Sequence, residues 1–219
     1  MNYKIMSYNE IDDELIAKYF PMLTEAKQQK IASMKSVDER KIAFCSEILA
    51  RQCLSNECDA PEFSFQLLLN VNSKSVVGNF DTEISMVKCG EIIGCAVSHE
   101  FIGIGIVKIA PFSFRDAQNI FTDSEIRAVF SDSVYSFADL INMPEIKEEN
   151  VIKRFALLSS LKEAYFQSSG RGIRSVIKNY SFEFSSSGLN CSDKNAKIIK
   201  SYIDIERNIA VSVIERKKQ

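Results

Sequence analysis

The sequence predicts an α+β protein built from two similar α+β halves, residues 1–101 and residues 102–219. Three observations point there. Apolar residues recur at helical spacing through the first third. Alternating and β-rich runs then occupy residues 62–109. The same order returns, with helical patterns after Pro111 and strand-like runs after residue 181. A chain of 219 residues with 46% hydrophobic content is long enough for one good core or two small ones.

Taken in order, residues 11–20 read as a helix ending near Pro21, and residues 23–34 as another. Ile42, Cys45, Leu49 and Cys53 lie three or four residues apart, one apolar helix face, with Asp38 as an acceptable N-cap. From Glu62 onward Phe63, Phe65, Leu67 and Leu69 alternate as a strand would. The β-rich runs 92–97 and 101–109, divided by Ser98-His99-Glu100, read as a hairpin. Short helices are expected near Asp123 and after Ser133, and a long one over about 148–168 with Val151, Phe155, Leu158 and Tyr165 as its buried stripe. Gly170 and Gly172 supply its stop. Residues 181–184, 198–205 and 209–214 read as strands, with residues 185–195 as a polar loop. No repeat in side-chain identity is strong enough to demonstrate duplication.

Composition narrows the function. The 27 basic and 29 acidic residues give a formal charge of −2, so no global field favours nucleic acid or an anionic membrane as partner. No apolar run approaches the roughly 18 to 20 residues that span a bilayer, and no signal-peptide core follows Met1-Asn2-Tyr3-Lys4. A cytoplasmic protein is expected. The six cysteines form no C-x-x-C pair, which suits reduced structural thiols better than zinc or a disulfide framework. The one histidine, His99, sits in a turn without a G-x-S-x-G partner motif and reads as a solvated turn residue. Gly103-Ile104-Gly105 is half of a nucleotide-binding glycine fingerprint, but it stands inside a β-rich run instead of opening a helix.

A series of short motifs covers most of the chain. It runs from Asp38-Glu39-Arg40-Lys41 through Ile48-Leu49-Ala50-Arg51 to Cys95-Ala96-Val97 and Gly103-Ile104-Gly105-Ile106-Val107. It continues with Phe121-Thr122-Asp123-Ser124-Glu125, Leu161-Lys162-Glu163-Ala164 and Gly170-Arg171-Gly172. In this order they resemble the 4'-phosphopantetheinyl transferases of the surfactin-synthetase-activating type. The resemblance implies a pseudo-dimer of two α+β halves with coenzyme A in the cleft between them. It also implies transfer of the phosphopantetheine arm to a serine of a carrier protein, with magnesium neutralising the pyrophosphate and a carboxylate helping to activate the serine.

The same resemblance locates losses. The family's Gly-Ile-Asp-Ile-Glu places metal-binding acids at positions 105 and 107, where this chain has Gly105 and Val107, leaving Glu163 alone of the implied ligand set. A magnesium ion takes clustered hard oxygen ligands in an octahedral shell, so no metal site is expected. The family's Ser-His-Ser falls near Val87-Lys88-Cys89, its lysine after Lys-Glu-Ala is Gln167, and its tryptophan before that motif is Ser159. Lys74, beside the family's Gly-Lys-Pro lysine, and Lys88 are the residual candidates for phosphate contacts, and Glu163 is the residual catalytic candidate or a plain helix former. The expectation is therefore a degenerate homologue, without cofactor, that binds a carrier protein or synthase subunit of polyketide or nonribosomal peptide biosynthesis, or an altered coenzyme A-like ligand. The alternative is a divergent active transferase using coenzyme A and Mg2+, with water, Glu163, Lys74 and Lys88 compensating. The basic surface of Lys27, Lys30, Lys35, Arg40 and Lys41 would steer an acidic carrier. Two structural expectations follow: residues 103–109 form a strand at the cleft between the two halves, near Glu163, and acids restored at 105 and 107 recover metal binding in an otherwise intact cleft without by themselves restoring rapid transfer.

Overall fold

In the computed structural model, residues 1–69, 75–169, 178–185 and 188–218 are described. The chain divides into two compact units, Met1–Ile102 and Gly103–Gln219. Both mix helices with small antiparallel sheets, an α+β composition. No helix among the described residues is long and apolar enough to cross a membrane.

Unit 1 opens with strand β1 (Asn2–Ser7), then helices α1 (Asp13–Tyr19), α2 (Glu25–Ala32) and α3 (Val37–Cys58). A small hairpin of β2 (Leu67–Leu69) and β3 (Ser75–Val77) precedes β4 (Glu83–Cys89) and β5 (Ile92–Ser98). The main sheet has the order β1-β5-β4, with Asn2 opposite Val97 on one side and Ile84 opposite Val97 on the other. Central β5 is buried at every residue, and α3 lays Cys45, Leu49 and Cys53 into the core that holds Ile93, Cys95 and Val97. The predicted spacing thus becomes the packed face of α3. Its N-cap is Ser36 rather than Asp38, which lies within the first turn, where its charge suits the helix dipole.

Two readings of this region are corrected. Residues 62–64 form a 3-10 turn, so the alternation that begins at Phe63 yields a strand only over Leu67–Leu69. The runs on either side of His99 are both strands but not a hairpin: β6 (Phe101–Lys108) belongs to another sheet. Both hydrogen-bonding edges of β5 are already taken by β1 and β4, so no edge is left for β6. The real hairpin is β4–β5, turning at Gly90, whose φ of 59° suits glycine.

Unit 2 holds β6 in the sheet order β6-β10-β9, with β9 (Ala196–Asp204) and β10 (Ile209–Arg216) an antiparallel pair. Between β6 and β9 come α4 (Phe114–Ile120), α5 (Asp123–Val129), α6 (Phe137–Asn142) and α7 (Glu149–Ser169), then the hairpin of β7 (Phe182–Ser185) and β8 (Gly188–Cys191). The three short helices each start with a reciprocal capping box: Ser113 with Asp116, Thr122 with Glu125, and Ser136 with Asp139. Helix α7 runs against β10, burying Val151, Leu158 and Tyr165 with Phe121 and Phe182, while Phe155 packs on that core half-buried. The predicted polar loop contains β8, whose Leu189 and Cys191 face the core in a sequence too polar to announce a strand. Gly170 and Gly172, the expected stop of α7, lie outside the described residues.

Candidate functional site

Along β6, alternate residues face opposite ways, which puts positions 103, 105 and 107 on one face. That face lies on α7. A Cβ added at Gly105 would stand 2.1 Å from the Ser160 carbonyl oxygen and 2.8 Å from the Ala164 nitrogen. At Gly103 it would stand 1.9 Å from the Ala164 carbonyl oxygen and 2.7 Å from the Ser168 nitrogen. Val107 packs with Ala156 and Ala210. The contacts on the helix therefore step through 156, 160, 164 and 168, one helical turn for every two strand residues. The helix uses small residues at each step, all buried. Strand and helix backbones meet with no side chain between them at either glycine, the close approach that an isolated glycine in a strand marks.

Glu163 sits beside this seam. Its Oε2 accepts a hydrogen bond from the Ile106 backbone N–H at 3.0 Å, and its Cβ lies 3.0 Å from where a Gly105 Cβ would be. Burial raises its pKa from 4.5 to about 7, and the Ile106 N–H opposes that rise without cancelling it. A glutamate with a raised folded pKa contributes stability that is fully present below its unfolded pKa and lost as pH climbs through the folded one. From about 4.5 to about 7 the loss amounts to about 3 kcal/mol by linkage. Glu163→Gln is accordingly expected to match the parent near pH 5 and to exceed it by about 2 kcal/mol at pH 8. Urea unfolding across this range checks it, and parallel pH curves for the two proteins would contradict it.

These residues do not fit a magnesium ion. Gly105 has no oxygen and no room for a side chain, Val107 is committed to apolar contacts, and Glu163 is a single carboxylate engaged by Ile106. No group of three or more His, Cys, Asp or Glu residues among the described ones is arranged to hold a metal.

The neighbouring motif residue has a different job. Lys162 Nζ forms an ion pair with Glu125 at 2.9 Å and donates to the Tyr180 carbonyl at 2.6 Å, both side chains being buried. Glu125 also accepts from the Thr122 N–H at 2.8 Å, the Thr122 hydroxyl at 3.0 Å and the Phe182 N–H at 2.8 Å. Burial lowers the Lys162 pKa although Glu125 pulls it upward. Two motifs far apart in sequence are thus joined as a buried clamp between α5, α7 and the start of β7. Sequence reasoning missed this role. Thr122-x-x-Glu125 before an apolar residue is a capping-box signature and was the available signal.

In unit 1, Lys88 is exposed on β4 with its ammonium 5.9 Å from the Tyr8 ring centroid. Lys74 lies outside the described residues. His99 is exposed at the bend after β5, its Nδ1 2.9 Å from the Asp81 carbonyl oxygen. A cavity of about 190 Å3 is lined by Lys27, Lys30, Met34, Leu67 and Met86. Lys27 is held there by Glu47 at 2.6 Å, and Glu47 in turn pairs with Arg51 at 2.8 Å. Ser159 is buried with its hydroxyl unpaired among the described residues, and Gln167 is half-buried on α7.

No protein-family model matches the chain. It is similar to the 4'-phosphopantetheinyl transferase gsp of Aneurinibacillus migulanus, 22% identical over 172 residues, which cover 78% of this chain and 66% of that protein, just under two thirds of its length. That similarity supports the 4'-phosphopantetheinyl transferase superfamily as the source of this chain's relatives.

Proposed function

We propose that this protein is a degenerate 4'-phosphopantetheinyl transferase homologue whose two units are transferase-like halves of a pseudo-dimer. It works in the cytoplasm by binding a carrier protein or synthase subunit without efficient transfer. The observation that carries the reading is the seam at Gly105, where the Ser160 carbonyl takes the space that an acidic side chain would need. The distant similarity to a named transferase supports the ancestry, and carrier proteins are the partners that activity would bring. If magnesium bound in such a protein, it would neutralise pyrophosphate charge; here Glu163 instead holds the β6 backbone through Ile106.

One observation favours a second reading, a divergent active transferase. A carboxyl titrating near 7 is tuned for general-base work, and Glu163 has that property. Incubation of the protein with pantetheine-labelled coenzyme A, magnesium and an apo carrier protein separates the two. The expected result is no incorporation above background together with saturable carrier binding seen by NMR. Stoichiometric, magnesium-dependent labelling would overturn the proposal.

A further inference from the structure

Helices α1, α2 and α3 of unit 1 enclose a separate groove of about 430 Å3. Its floor is apolar and buried, formed by Ile11, Ile31 and Phe44, with the Phe20 and Phe44 rings 6.2 Å apart. Val37, the first residue of α3, lies on the wall with 57% of its surface exposed, a large apolar side chain that the fold leaves uncovered. Such a volume falls within the usual range for small-molecule sites, which are mostly apolar with a few polar groups to fix orientation.

The charges on the lining select the ligand. Arg40 and Lys41 are half-buried at one rim. Among the described residues the Arg40 guanidinium makes one long contact, 3.5 Å to the Met34 carbonyl, and Lys41 forms no ion pair. Asp13, exposed in the first turn of α1, supplies the single carboxylate of the lining. Two cations against one acid leave a net positive, apolar groove. The geometry points to a binding site for a medium-chain aliphatic carboxylate, its chain on Ile11, Ile31 and Phe44 and its headgroup at Arg40 and Lys41. This assignment shares no residue with the seam of β6 and α7 and does not rest on the transferase ancestry.

The test is calorimetric titration of the full chain with hexanoate, heptanoate, octanoate and octanol. It is paired with methyl NMR of Ile11, Ile16, Ile31 and Val37. Affinity should rise roughly fourfold per added methylene, as burial of a CH2 predicts. Octanoate should bind more tightly than octanol. The variant R40Q/K41Q, placed on half-buried rim residues and checked by its melting temperature, should weaken octanoate at least about fivefold while leaving octanol unchanged. Among the labelled residues, shifts should be confined to the methyls of the four that are named. Absence of saturable octanoate binding, or an affinity insensitive to R40Q/K41Q, would overturn the proposal. So would an apo carrier protein that shifts these methyls when octanoate does not, since the groove would then be a protein-docking surface.

Discussion

Gly105→Asp will lower the stability of the protein by about 3 kcal/mol or more, and millimolar magnesium will not restore it. The new Cβ would fall 2.1 Å from the Ser160 carbonyl, a backbone atom that can move only if α7 moves. Overpacking of this kind costs roughly 1 to 3 kcal/mol, and an unpaired carboxylate in a buried seam adds a comparable penalty. Gly105→Ala should already show the first component. The expectation drawn from sequence, in which acids restored at 105 and 107 recover metal binding, holds only for an otherwise intact cleft. That expectation supposed open space beside β6, and the space is filled by helix backbone. Urea unfolding and melting with and without magnesium give the answer. A Gly105→Asp protein of parental stability that melts higher with magnesium would contradict it.

Removing either partner of the Lys162–Glu125 pair should be comparably severe. Lys162→Ala leaves a carboxylate with no exposed surface and, among the described residues, no counter-charge, a situation that costs roughly 3 to 5 kcal/mol. Glu125→Ala takes the counter-charge from the buried Lys162 ammonium, leaving it the Tyr180 carbonyl, and also takes the acceptor from the Thr122 and Phe182 N–H groups. The double variant Lys162→Met with Glu125→Leu should recover part of the loss, because a buried pair replaced by apolar side chains avoids the isolated charge. Recovery should be incomplete, since those two N–H groups remain without their acceptor. Single variants within about 1 kcal/mol of the parent would show that the clamp is not what holds α5 and α7 together.

The long elements were legible because their spacing is long: the stripe of α3 and that of α7 each persist over several turns. Strand partners were not. The run through β5 is apolar whether it pairs with β6 or lies between β1 and β4. Only the saturation of its edges decides, and that is a tertiary fact. Strand β1, six residues with Tyr3 and Ile5 alternating against Lys4, was too short to stand out from the helical region that follows. Gly105 and Val107 stand where the resemblance implies acids, and Gly103 keeps the glycine of the same motif. The second meaning of the two glycines was present in the sequence as Ala156, Ser160, Ala164 and Ser168, small residues at four-residue steps along α7, the surface a strand backbone needs for close approach. The resemblance brought positions 105 and 163 to one place, and the structure sets them side by side. The resemblance carries no information on how near the α7 backbone lies to β6.

The most direct test of the account is a manganese titration of the native protein watched by amide NMR, manganese standing in for magnesium because both favour carboxylate and water ligands. The account predicts no selective broadening of the Ile104, Ile106 and Ala164 amides, because Gly105 and Val107 offer no ligand and Glu163 is held by Ile106. Saturable broadening centred on Ile106 and Ala164, abolished by Glu163→Gln, would contradict it.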